Sequence, residues 1–169
     1  MKSKHKILLL IMVLSITVLD ADSANISHEE ANILTAKLSQ LFETSENVTP
    51  VFAGIDIVPG LLDGLVMINI IPNSYTTTDI GLAYTVGVMS FAIIKKDYPQ
   101  IYRSYVNVKI RGKSYIIEVA SPDIEGIPDS MTDQSVLAAY AKVANELVNK
   151  QLAYNYPMEE ASDYRKSNT

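Results

Sequence analysis

Residues 102–120, YRSYVNVKIRGKSYIIEVA, decide the fold of this chain. Arg111-Gly112 separates two runs of alternating apolar and polar residues, which is the pattern of a β-hairpin with a two-residue turn. This turn places Ile110 opposite Lys113 and sets the pairing along both strands. One face of the hairpin then carries side chains suited to a core: Val106, Val108, Ile110, Tyr115, Ile117 and Val119. The other face carries a mixture that water can solvate: Tyr105, Asn107, Lys109, Ser114, Ile116 and Glu118.

An earlier pair of strands is predicted at residues 51–58 and 65–71. Pro59-Gly60 and Asp63-Gly64 are turn signals between them, so the two runs can pair as a hairpin with a longer connection. The second run is apolar on both faces except at Asn69, which is typical of a central strand that is covered on both sides.

Three helices are predicted around these strands. Ser27-His-Glu-Glu30 is a capping box that begins the first helix, whose apolar stripe ends by residue 46. Thr76-Thr-Thr-Asp79 begins the second, which runs to about Lys96 and is uncharged over residues 80–94. A buried helix lying across the sheet is the favoured interpretation of that helix, and a membrane segment is the alternative. The last helix carries one apolar stripe: Val136, Leu137, Tyr140, Val143, Ala144, Leu147 and Val148.

The resulting order is αββαββα in a single domain, residues 24–154. Because the strands come mostly as hairpins and do not alternate singly with helices, the sequence predicts an α+β, two-layer domain. Its sheet has about four strands, antiparallel or mixed, and packs with the three helices. Residues 155–169 are predicted to form a polar C-terminal tail.

Residues 1–23 have the order of a secretory signal. Three lysines precede an uncharged apolar stretch at residues 7–19, and small residues follow up to Ala24. In a helix that stretch spans about 20 Å, short of the ~30 Å hydrocarbon core, so cleavage near Ala24 is favoured and an uncleaved anchor is the alternative. Both interpretations predict a secreted or extracytoplasmic protein. The sequons at Asn25 and Asn47 are candidate glycosylation sites in such a protein.

The composition argues against several classes of function. The chain has 14 Lys and Arg, 19 Asp and Glu, and a net charge of −5, which argues against nucleic-acid binding. It has no Cys, so disulfides, thiolate nucleophiles and cysteine metal sites are excluded. His28 is the single histidine after the signal, and no phosphate-loop, dinucleotide-binding or nucleophile-elbow motif is present. We therefore predict no catalytic residue, no metal ligand and no cofactor.

Acidic residues leave two minor hypotheses open. An acidic loop is the best candidate for binding Ca²⁺, although it lacks the closing Glu of an EF-hand and a solvated loop before a helix explains it equally. Carboxylate pairs are also the minimum needed for glycosidase-type chemistry. The acidic loop consists of Asp123, Glu125, Asp129 and Asp133, and the carboxylates available for glycosidase-type chemistry are these four together with Asp56 and Asp63.

Tyrosine is the notable aromatic residue, with ten Tyr and no Trp in the chain. We expect Tyr98, Tyr102, Tyr105 and Tyr115 to gather at one end of the second hairpin. Because Tyr and Arg are enriched at protein interfaces, the candidate binding residues are Tyr98, Tyr102, Arg103 and Tyr105. The alternative is that these tyrosines fill half-buried sheet positions.

The function favoured by these observations is an exported, non-enzymatic binding or interaction module of the cell surface or extracellular space. Its partner would be a protein or an envelope component. One alternative is a membrane-tethered subunit of an envelope assembly or sensor, held by residues 7–19. The other is a carboxylate-dependent extracellular hydrolase.

Overall fold

The computed structural model describes residues 25–43, 52–128 and 133–155. The predicted signal, the second sequon at Asn47, the acidic residue Asp129 and the tail after residue 155 lie outside these ranges. The described elements confirm the α+β class and the order αββαββα. They are α1 (His28–Glu43), β1 (Phe52–Pro59), β2 (Leu65–Pro72), α2 (Thr77–Asp97), β3 (Arg103–Ile110), β4 (Lys113–Ala120), a short 3₁₀ helix (Ser121–Ile124) and α3 (Gln134–Asn155).

The predicted helix starts are present. The Glu30 carboxylate accepts from the Ser27 amide at 2.7 Å, and the Ser27 hydroxyl accepts from the Glu30 amide at 3.2 Å, which is the reciprocal pairing of a capping box. At the start of α2, the Thr76 hydroxyl accepts from the Asp79 amide at 3.2 Å. Short polar side chains therefore satisfy the first amides of both helices.

The four strands form one mixed sheet in the order β1-β2-β3-β4. The pairs β1–β2 and β3–β4 are antiparallel hairpins, while β2 and β3 are parallel neighbours connected through α2. The predicted register of the second hairpin is confirmed, with Ile110 opposite Lys113 and Val106 opposite Ile117. Arg111 has a φ of 49° and Gly112 a φ of 78°, as the tight turn between β3 and β4 requires.

One hydrophobic core lies between the sheet and the helices. Alternate side chains of the strands contribute to it together with the apolar stripes of all three helices. We call this side of the sheet the covered face, and the side bearing the other set of strand side chains the open face. Within the described residues, α2 is the one helix long and apolar enough to cross a bilayer, and 56% of its apolar window is buried in the fold. Its packing on β2 and β3 accounts for that apolar character.

Both outer strands are bonded to helices. The Thr35 hydroxyl in α1 accepts from the backbone N–H of Ile57 in β1, at 2.8 Å. At the other edge, the Tyr84 hydroxyl in α2 donates to the carbonyl of Tyr115 in β4, at 3.2 Å. The bond from Ile57 occupies a backbone N–H group that the outer strand β1 would otherwise offer to another chain.

Candidate functional site

The open face carries a row of polar side chains across three strands, at positions that the register places side by side. Asp56 of β1 lies opposite Asn69 of β2, and Asn69 lies opposite Asn107 of β3. The fourth position in this row is Ile116 of β4. We call Asp56, Asn69 and Asn107 the amide row.

Hydrogen bonds join the three side chains in one direction. Asn107 Nδ2 donates to Asn69 Oδ1 at 2.8 Å, and Asn69 Nδ2 donates to Asp56 Oδ2 at 3.4 Å. A carboxylate only accepts, so Asn69 must present its NH₂ group to Asp56 and its oxygen to Asn107. The row therefore ends in an acceptor, the Oδ1 of Asn107.

That terminal acceptor is buried and has no partner within the described structure. Asn107 is only 5% exposed and Asn69 only 8%, although both lie on the open face. The sequence pattern predicted a water-solvated position for Asn107, and this expectation is wrong. A buried oxygen without a donor costs free energy, about 1–3 kcal/mol, because it has lost its hydrogen bonds to water.

Apolar and aromatic side chains border the amide row. Met67 of β2 and Tyr105 of β3 are half-buried and lie opposite each other, two residues before the row and on the same face of the sheet. Ile71 and Ile116 are exposed large aliphatic residues on the same face. A central polar group surrounded by apolar side chains resembles the core of a protein interface more than a solvated surface.

Three of the four predicted binding residues lie near this region. Tyr105 lies beside the amide row, and Arg103 lies two positions earlier in β3, where its Nε atom is 3.2 Å from Glu118 Oε1 of β4. Tyr102 precedes the strand and is exposed, with the Arg103 guanidinium 5.8 Å from its ring centroid. Tyr102, Arg103 and Tyr105 therefore lie near the same end of the sheet.

Tyr98 and Tyr115 lie apart from these three residues. Tyr98 ends α2 on the helix layer, where its amide donates to the Ile94 carbonyl at 2.8 Å. Burial raises its pKa above the ordinary value, and the nearby acidic groups Glu30 and Asp97 raise it further. Tyr115 pairs with Val108 toward the opposite end of the hairpin from Tyr102. The expected gathering of all four tyrosines at one end of the hairpin is therefore wrong.

Two of the described acidic loop residues, Asp123 and Asp133, bond to nearby backbone groups. Asp123 Oδ2 accepts from the Ala120 amide at 2.7 Å, at the start of the 3₁₀ helix. Asp133 Oδ1 accepts from both the hydroxyl and the amide of Ser135 at the start of α3, and these bonds lower the pKa of Asp133. Among the described residues, no group of three His, Asp or Glu side chains is placed to hold a metal ion.

The first sequon is engaged in the fold. Asn25 Nδ2 donates to the Gly60 carbonyl at 3.2 Å, and Asn25 Oδ1 accepts from the Leu65 amide at 3.3 Å. The side chain is half-buried and connects the start of the domain to the β1–β2 turn. A glycan on Nδ2 would have to coexist with these bonds or replace them.

Comparison of the chain with protein-family profiles, curated proteins and solved structures finds no match in any of the three.

Proposed function

We propose that this protein is an exported binding module and that the open face of its sheet is the surface that receives a protein partner. The observation that carries this proposal is the buried, unpaired Oδ1 of Asn107. Because this oxygen is itself buried, a partner would satisfy it by displacing the side chains that cover it and placing an N–H or O–H group against it. The exposed Ile71 and Ile116 would lose contact with water in the same step.

The chemistry of the row supports recognition more than catalysis. Two amides and a carboxylate offer hydrogen bonds in fixed directions, and the row includes no hydroxyl, thiol or imidazole group that could act as a nucleophile. His28 lies in the first turn of α1, on a different element from the row. A hydrolase would need a second positioned carboxylate beside Asp56, and the register places Asn69 opposite it in β2.

Site-directed photo-crosslinking in the native host tests the proposal. A photoreactive amino acid replaces Ile116 on the open face, and a matched variant carries it at Ile33, an exposed isoleucine of α1. We expect discrete protein adducts at position 116 and none of these at position 33. Equal labelling at both positions, or labelling at neither, would contradict the proposal. A heterogeneous polymer adduct confined to position 116 would contradict a protein partner and would show that the open face binds an envelope polymer.

A second variant tests whether the amide row itself recognises the partner or only lies near it. Asn107→Leu removes the acceptor while keeping a side chain of similar size, so we expect it to reduce the crosslink yield at position 116. Circular dichroism of the purified variant verifies that the sheet is retained. An unchanged yield in a folded variant would show that the amide row takes no part in recognition.

A further inference from the structure

The turn between β1 and β2 exposes two adjacent leucines. Leu61 is fully exposed and Leu62 is 63% exposed. The turn is nevertheless well defined, because the Gly60 amide donates to the Leu65 carbonyl at 3.0 Å and the Leu65 amide donates to the Leu62 carbonyl at 3.2 Å. Turns are ordinarily rich in small and polar residues, so two leucines held in water require an explanation.

The start of the described chain is attached to the same turn. Asn25 bonds to the backbone of Gly60 and Leu65, as described above. The apolar stretch at residues 7–19 ends six residues before Asn25. At no more than about 3.6 Å per residue, this connection spans at most roughly 22 Å. Wherever residues 7–19 are held, Asn25 and the turn to which it is bonded are therefore connected to them by no more than this short segment.

Tyr102 and Arg103 lie at the same end of the sheet. The amides of both residues donate to the Gly64 carbonyl, at 3.0 and 3.2 Å, and the ring of Tyr102 packs directly on Gly64. Gly64 has a φ of 68°, and a side chain there would overlap that ring. The turn therefore presents leucines at its tip, with a tyrosine and an arginine behind them. Tyrosine and arginine are suited to the boundary between membrane and water, where an apolar body and a polar end are both accommodated.

We propose that the β1–β2 turn rests on the lipid bilayer that holds residues 7–19, with Leu61 and Leu62 inserted into its interfacial region. Tyr102 and Arg103 then lie at the level of the lipid headgroups. Asp63 in the same turn and the net charge of −5 favour an uncharged lipid surface. The inference rests on the proposed binding function together with the alternative in which residues 7–19 are retained as an uncleaved anchor, and it leaves the amide row free for a partner.

Depth-dependent Trp fluorescence of the full chain tests this proposal. The chain has no Trp of its own, so an introduced Trp reports from one position only. Leu61→Trp introduces a single fluorophore at the tip of the turn. Ile71→Trp is the matched control, since Ile71 is also exposed and lies six strand positions beyond Leu65, or about 20 Å away. Both variants are reconstituted into phosphatidylcholine vesicles, with and without lipid brominated near the headgroup end of its acyl chains.

We expect the emission of the Leu61→Trp variant to shift to shorter wavelength and to be quenched several-fold more by brominated lipid than that of the Ile71→Trp variant. Equal quenching of the two variants would overturn the proposal. Recovery from the native host of only a soluble species starting near Ala24 would also overturn it. Crosslinking at Ile116 does not depend on the turn, so the proposed function can hold when the membrane contact fails.

Discussion

Gly87 provides the sharpest test of how α2 is packed. A Cβ atom at Gly87 would overlap Cγ1 of Val106 in β3 and lie 3.1 Å from Cγ2 of the same valine. Gly81, in the same helix, has nothing within 4 Å of the corresponding position. Alanine at either position gains about 1 kcal/mol of helix propensity over glycine. At Gly87 the overlap with a stiff β-branched side chain should cost about 1–3 kcal/mol.

We therefore expect Gly81→Ala to raise the free energy of unfolding by up to about 1 kcal/mol and Gly87→Ala to lower it by up to about 2 kcal/mol. Urea unfolding of the chain starting at Ala24, followed by far-UV circular dichroism, measures both changes from the transition midpoints. In a Val106→Ala background the overlap is absent, so Gly87→Ala should become neutral or stabilising. If Gly87→Ala stabilises the otherwise unchanged protein as much as Gly81→Ala does, the close approach of α2 to β3 is wrong.

Three further predictions concern the amide row and the sheet edges. Replacing both Asn69 and Asn107 by Val removes the buried unpaired oxygen, so the free energy of unfolding should rise by about 1–3 kcal/mol while partner crosslinking is lost. Thr35→Val removes the hydroxyl that accepts from the amide of β1, which should lower the free energy of unfolding by about 1 kcal/mol in urea unfolding. Burial, and then the neighbouring Tyr115, raise the pKa of Tyr84 to about 12 in the folded state, from 10.0. The stability linked to Tyr84 is therefore present below pH 10.0 and is lost as the pH rises through about 12, so Tyr84→Phe should flatten the alkaline decline in melting temperature.

Each of these predictions has its own control. For the amide row, the single variant Asn107→Val leaves Asn69 Oδ1 without a donor and should be less stable than the double variant; the reverse order would refute the role of the row. Thr35→Ser keeps the hydroxyl and should retain the hydrogen bond. If Thr35→Val and Thr35→Ser lower the free energy of unfolding equally, the loss is due to changed packing and not to the hydrogen bond. Identical alkaline profiles for the wild type and Tyr84→Phe would refute the linkage of stability to this phenol.

Local pattern accounts for most of the fold. The helix starts at Ser27 and Thr76, and the turn at Arg111-Gly112, depend on neighbours within four residues, so the sequence specifies them directly. The turn also determines the register of the second hairpin, because a two-residue loop leaves one pairing. The central position of β2 follows from its apolar residues on both faces.

The sequence pattern did not predict which strands pair when they are far apart in the chain. Asn69 stood out as the polar exception in an apolar run, and Asn107 was assigned to the solvated face of its hairpin. Their hydrogen bond requires β2 and β3 to be parallel neighbours, and a helix of 21 residues separates those strands. A polar residue inside an apolar strand was the one available signal, and it could not identify the partner.

The sequence by itself therefore determined the elements, their order and the second hairpin with its register, because periodicity and turn chemistry act over a few residues. Only the tertiary structure decided that Asn107 is buried with an unpaired oxygen, that Tyr98 and Tyr115 lie away from Tyr102, and that Asn25 attaches to the exposed β1–β2 turn. These features arise where segments far apart in the chain meet, and burial and bonding there depend on the packed sheet.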